Sequence, residues 1–332
     1  MKIKVHSKHK HKDPIIIDQS QFLPGDSGVV KIIVGRIPSD NQMTVLAHVI
    51  RHRNPGPVVL LLGGIHGDEL NGVEIVGKVI EEKDGWNFTS GTIIAVPLLN
   101  VFGFITFRRD VTEGKDVNRS FPGSSTGSLA SRVARTLTKK ILPYVDVAMD
   151  FHTGGASRYN YPQVRYLKTD PIAKQMGLAF GAPFRIEKAL IPASFRKAAH
   201  DLGIPAIVFE GGEAQRIDPF VIQVAYRGVC NVLRALGMLD MKADQLHRKD
   251  LLIERSTWHR AKNPGLFWSY KVSGAYVEKG EKLGHIKDPF GTKVNYVLCE
   301  SSGYIIGHNN ASVVNIGDPL FHIGMYHEKG GF

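Results

Sequence analysis

Apolar residues follow two different rhythms along this chain. Between about residues 56 and 240, short continuous apolar runs alternate with stretches where apolar side chains recur every three or four positions. The runs at 57–62, 92–98, 145–150 and 206–209 read as strands buried on both faces of a sheet. Leu129, Val133, Leu137 and Ile141 form one stripe on a helix opened by Ser128. Val73, Val76 and Ile80 mark a second helix after Asn71. Val221, Ala225, Gly228 and Val232 mark a third, ending at Gly237. Strands alternating with helices predict an α/β sheet with helices on both faces. The first 50 residues add strand-like runs at 29–34 and 43–49, expected at the edge of that sheet.

The rhythm changes after about residue 245. Residues 265–324 are short strands separated by glycine, with turn signals about every 8 to 12 residues and no helical period. Two phrases here, VEKGEKLGHI and VNIGDPLFHI, resemble each other and predict a duplicated hairpin unit. The expectation is a catalytic α/β domain over residues 1–245 and a small all-β barrel or sandwich over 246–332, with the linker near 242–255.

Composition narrows the function without naming it. The chain has 332 residues, 43% of them hydrophobic and 22% charged, ordinary for a globular protein. No apolar run reaches the roughly 20 residues that cross a bilayer, and the basic start is not followed by a signal-peptide core. A cytoplasmic location without membrane association is expected. Cys230 and Cys299 are read as buried small apolar residues, since two distant cysteines make no disulfide framework. The net charge of +11 is spread along the chain without a nucleic-acid motif, so small anionic substrates are expected rather than nucleic acid. His6, His9 and His11 offer weak metal ligation in a leader read as a solvated, partly disordered tail. Whether the chain forms a homo-oligomer is left open.

The chemistry concentrates where strands end. GGIHGDELNG, residues 63–72, follows one apolar run and precedes a helix, the edge where α/β sheets place ligands. His66 and Glu69 converge there, and DFHTGG supplies His152 just past the end of another strand. Two His and one Glu leave a position for water, as in a catalytic zinc site. IPAIVFEGGEAQRID puts Glu210 at a third strand end among apolar neighbours, which favours it as a general base with a raised pKa. Glu213 is the competing base. In RRDVTEGKDVNRSFPG, Asn118 and Arg119 form a donor pair suited to a carboxylate. Asp116 is placed to hold Arg119, and Arg108 or Arg109 to stabilise an oxyanion.

In that order, HGDE, DVNRSFPG, DFHTGG and FEGGEA resemble the succinylglutamate desuccinylase and aspartoacylase family, relatives of the zinc carboxypeptidases. The resemblance runs from about residue 55 to 240. It implies one zinc ion per chain held by His66, Glu69 and His152, with Glu210 activating water. It implies that Asn118 and Arg119 hold the substrate carboxylate and that an Arg nine or ten residues earlier polarises the carbonyl; of Arg109 and Arg108, Arg109 is preferred. The implied fold is a mixed, largely parallel sheet flanked by helices, and the C-terminal region resembles the barrel of many bacterial members. That region also resembles biotinyl and lipoyl carriers, but its hairpin tip DPFG lacks their central lysine. The expected activity is hydrolysis of the amide of a small, carboxylate-bearing N-acyl amino acid. The alternatives are a metallocarboxypeptidase that trims short peptides and a non-catalytic small-molecule binder using the metal pocket.

Overall fold

The structure, a computed structural model, describes residues 2–7, 12–37, 39–240 and 250–326. His9, His11 and most of the expected linker therefore lie outside the described residues. Ten strands run in one continuous order across the main sheet: Arg255–Arg260, Pro319–Met325, Gly303–Asn309, Arg158–Tyr166, Ala206–Glu213, Val147–Gly154, Val58–Leu62, Thr92–Val96, Gln42–Arg51 and Ser27–Arg36. The four strands from Ala206–Glu213 to Thr92–Val96 are mutually parallel. The strands flanking them pair antiparallel, as expected of a mixed sheet.

The continuous apolar runs have a simple cause. Successive side chains on a strand point to opposite faces, and both faces here are covered. Leu60, Leu62, Ile94 and Val96 enter one core, shared with the helix Leu129–Lys140. Val59, Leu61, Ile93 and Ala95 enter the other, under the helices Leu70–Glu82, Pro171–Phe180 and Pro219–Ala235. Ser128 caps its helix by accepting from the Ser131 amide, as its position predicts. Among the described residues, no helix is long and apolar enough to cross a membrane.

Three expectations need correction here. The helix after the first strand starts at Leu70, not beyond Asn71, and buries Gly72, Ile75, Val76 and Val79. Val73 and Ile80 are only half-buried. The rotation follows from Gly72, where a side chain would press into the Phe151 carbonyl, so the helix lies tight on that strand. The leader is also not wholly a solvated tail: Ile3 is buried in the second core beside Val5, and the Ser7 hydroxyl donates to Asp146 at 2.8 Å. Cys299 is buried, but Cys230 is only half-buried; both are free.

The C-terminal region forms a four-stranded antiparallel sheet from Lys282–Lys287, Val294–Leu298, Gly265–Ser269 and Val313–Val314. Its other strands extend the main sheet through pairing of Gly303–Asn309 with Arg158–Tyr166. The repeated phrases are each strand, glycine turn and strand, but the two strands of a phrase pair in different sheets, so the expected hairpin does not form. Val277 and Val314, Leu283 and Leu320, and Ile286 and Ile323 all enter one small core. Gly280 and Gly317 turn at φ 87° and 89°, left-handed values that glycine adopts without strain.

Candidate active site

Four chain segments meet at the C-terminal ends of the parallel strands. The loop after Val58–Leu62 carries His66, and Glu69 is the N-cap residue of the following helix. Close packing fixes this loop. A side chain at Gly67 would overlap the backbone of Gly103 and Phe104. Gly67→Ala is therefore expected to lower stability by about 1–3 kcal/mol, as overpacking does, and to displace His66. Chemical denaturation together with metal content checks this; an unchanged midpoint would refute it.

His152 lies within the strand Val147–Gly154 rather than past its end, because pairing with Ala206–Glu213 extends the ladder to Gly154. The side chains of His66, Glu69 and His152 are all buried. His66 Nδ1 is 2.7 Å from Glu69 Oε1, and His152 Nδ1 is 2.8 Å from Glu69 Oε2. The two Nδ1 atoms stand 3.1 Å apart. Ligand atoms on a tetrahedron with zinc bonds of about 2.0–2.1 Å would be about 3.4 Å apart. Two imidazole nitrogens facing each other and one carboxylate in a buried space form a donor set that suits a cation, so these residues fit a zinc ion.

The surrounding groups orient the trio. Asp150 Oδ2 lies 2.8 Å from His152 Nε2, which leaves Nδ1 directed at the cluster. Burial opposes charge on His152, yet Asp150 and Glu69 outweigh it and hold its pKa well above the ordinary value. Burial likewise opposes charge on Glu69, and the two imidazoles outweigh it, holding the carboxyl well below the usual range. His66 Nε2 is 3.3 Å from Asp116 Oδ1 but lacks the alignment of a hydrogen bond. Asp150→Asn preserves shape but weakens the acceptor opposite His152. Zinc affinity is expected to fall about 10- to 100-fold, measured by competition with a chromophoric chelator; wild-type affinity would deny Asp150 this role.

Asp116 holds Arg109, not Arg119 as expected. Its Oδ2 accepts from Arg109 Nη2 at 2.9 Å, and its Oδ1 accepts the Asn118 amide at 2.7 Å. The loop folds Asp116 back as an N-cap, which carries Arg119 away from it. Arg109 Nη1 also donates to Glu69 Oε1 at 3.2 Å, so this guanidinium borders the trio. Arg108 is exposed and does not line the cavity. Arg119 is exposed at the cavity and donates to the Asn118 carbonyl. Asn118 Oδ1 accepts from the Phe195 amide at 2.8 Å, joining two wall segments.

The cavity these residues line has a volume of about 680 Å³. Glu210 stands on its wall, opposite His152 in the parallel register. The apolar surroundings expected for Glu210 are absent. Phe209 turns into the core, whereas Glu210 Oε1 accepts from Arg165 at 2.8 Å and Oε2 from Asn160 at 2.8 Å. Neighbours in a strand point to opposite faces, so apolar sequence neighbours say nothing of the face Glu210 shares. Glu213 does not line the cavity; its carboxylate accepts from Asn310 at 2.6 Å.

Several cavity residues escaped the sequence reading. Arg196 donates to the Lys188 and Ala189 carbonyls, and burial with nearby Arg165 pulls its pKa down to about 10. Burial, then Arg165, also lowers Lys188. From the C-terminal strands come Trp258 and His322, stacked with ring centroids 4.6 Å apart. Burial, Arg165 and Lys188 push His322 down to about 3, so it is neutral. Asn160 and Arg165 were missed as well, and for them the available signal was polar residues set among buried ones in RYNYPQVRY.

A sequence model of the succinylglutamate desuccinylase/aspartoacylase catalytic domain matches residues 55–236. The chain is 25% identical over 306 residues to an N-alpha-acetyl-L-2,4-diaminobutyric acid deacetylase of Halomonas elongata, covering 88% of this chain and 89% of that one. Two solved structures share the fold. A succinylglutamate desuccinylase/aspartoacylase from Rhodobacter sphaeroides superposes with TM-score 0.79 at 24% identity, covering 91% of this chain and 96% of that one. The product-bound ectoine utilization protein EutE (DoeB) from Ruegeria pomeroyi gives 0.79 at 23%, covering 94% and 98%.

Proposed function

The chain belongs to the succinylglutamate desuccinylase/aspartoacylase family, and from that premise we propose that it is a zinc-dependent deacylase of a small, carboxylate-bearing N-acyl amino acid. His66, Glu69 and His152 would hold one zinc ion per chain. The observation that carries the reading is the meeting of this trio, Glu210 and Arg109 around one cavity. The name of the Halomonas elongata relative supports an N-acyl amino acid as the substrate class.

When bound, zinc supplies Lewis acidity and lowers the pKa of water toward 7. Glu210 takes the proton from the attacking water and returns it to the amine nitrogen that leaves. Arg109, fixed by Asp116, presents donors to the oxygen on which charge develops. Asn118 and Arg119 anchor the substrate carboxylate, an arrangement favoured by the excess of cations over carboxylates in the cavity wall.

The test is a mass-spectrometric screen of the zinc-loaded chain against pooled N-acyl amino acids and short peptides, with a chelated control. Zinc-dependent release of amino acids from the acyl pool is expected. Cleavage confined to peptides would replace the reading with a carboxypeptidase, and no turnover in either pool would leave a binding protein.

A further inference from the structure

We infer that Arg165 and Asn160 are positioning residues for Glu210, and that the C-terminal strands act on the reaction by holding the strand that carries them. The inference rests on the reading of Glu210 as general base.

Each Glu210 oxygen has one donor at 2.8 Å, Arg165 Nη1 on Oε1 and Asn160 Nδ2 on Oε2. A carboxylate has about four lone-pair sites, so two directions remain for a proton while the group's plane is fixed. Both donors come from the strand Arg158–Tyr166. Arg165 and Asn160 are an odd number of positions apart and would face opposite sides of a regular strand. The register shift between Glu210 and Gly212 breaks that alternation and lets both reach the same carboxylate. The pairing is therefore a product of the sheet's irregularity, not of local sequence.

The C-terminal region secures the other side of this strand. Gly307 pairs with Asn160 and His308 with Tyr159. Gln163, which stands opposite Glu210, is fully buried and donates to the Ile306 carbonyl at 3.2 Å. Glu210 and Arg165 are themselves mostly shielded, with side-chain exposures of 13% and 25%. Loss of the guanidinium would let the base rotate out of line, and misplacements of about 1 Å cost up to about 100-fold in rate.

The experiment uses the full zinc-loaded chain and the acyl substrate that turns over fastest in the screen. Arg165→Gln is expected to lower kcat about 10- to 100-fold, with KM nearly unchanged and zinc still at one per chain. Arg165→Lys should restore part of the loss, because an ammonium still donates to Oε1. Placed on Glu210→Gln, Arg165→Gln should cost little further, as residues acting through one group are not additive. A raised KM with unchanged kcat would make Arg165 a substrate ligand and overturn the inference, as would full additivity. Should Arg165→Gln fail to fold by thermal melting, Arg165→Lys and Asn160→Ala decide, and wild-type kcat in both would overturn it. Wild-type turnover by Glu210→Gln alone would instead remove the general-base reading.

Discussion

Replacing Glu210 with glutamine is expected to reduce kcat by about 100- to 10,000-fold, the span that a positioned acid–base group contributes. Zinc content and melting temperature should change little. Glutamine matches glutamate in shape, and its amide can turn its oxygen to Arg165 Nη1 and its nitrogen to Asn160, whose own amide flips to present Oδ1 in place of Nδ2. The two contacts on the native carboxylate therefore have substitutes. What the amide cannot do is accept a proton from water near neutral pH. Glu213→Gln is the matched control. Its side chain is bound by Asn310 and lies off the cavity, so turnover should stay close to wild type. Steady-state rates on the screened substrate, with zinc measured by mass spectrometry, separate the cases. Near-normal turnover by Glu210→Gln would show that proton transfer occurs elsewhere, and a large loss in Glu213→Gln would reverse the assignment.

His152→Ala is expected to empty the metal site and reduce turnover to the level of the chelated protein. On the proposed reading the residue supplies one of three ligands; its Nε2 also meets Oδ2 of buried Asp150, whose Oδ1 has no hydrogen bond among the described residues. Removing the imidazole leaves the buried Asp150 carboxylate without its partner. Breaking a buried ion pair from one side costs about 3–5 kcal/mol, so the variant should also melt at lower temperature in chelator. Zinc stoichiometry and denaturant midpoints measure both effects. One zinc per chain retained at wild-type affinity would exclude His152 as a ligand.

The C-terminal strands bear directly on the cavity. They continue the main sheet beside Arg158–Tyr166, and Trp258 and His322 reach the cavity wall. A region that reads in sequence as a separate glycine-punctuated unit thus shares a hydrogen-bond ladder with the strand that touches Glu210.

The sequence by itself determined the buried strands of the sheet and the nearness of His66 to Glu69, because the physics behind them is local. A strand buried on both faces needs an unbroken apolar run, and 57–62 and 92–98 could be little else. His66 and Glu69 lie three residues apart at a helix start, so their convergence needs no distant partner. The repeat was legible for the same reason, with matching apolar positions around Gly280 and Gly317, although its strands pair with other strands and not with each other as a hairpin. The tertiary structure alone decided whatever depends on which face or partner a side chain meets. Strand alternation separates Glu210 from apolar Phe209, and a register shift gives it Asn160 and Arg165. Loop folding gives Asp116 to Arg109 instead of Arg119, close packing at Gly72 rotates the helix behind Glu69, and Ile3 finds its core only because Ala235 accepts its amide. Contacts of this kind join residues distant in sequence, and their pairing is set when the sheet and its two cores assemble.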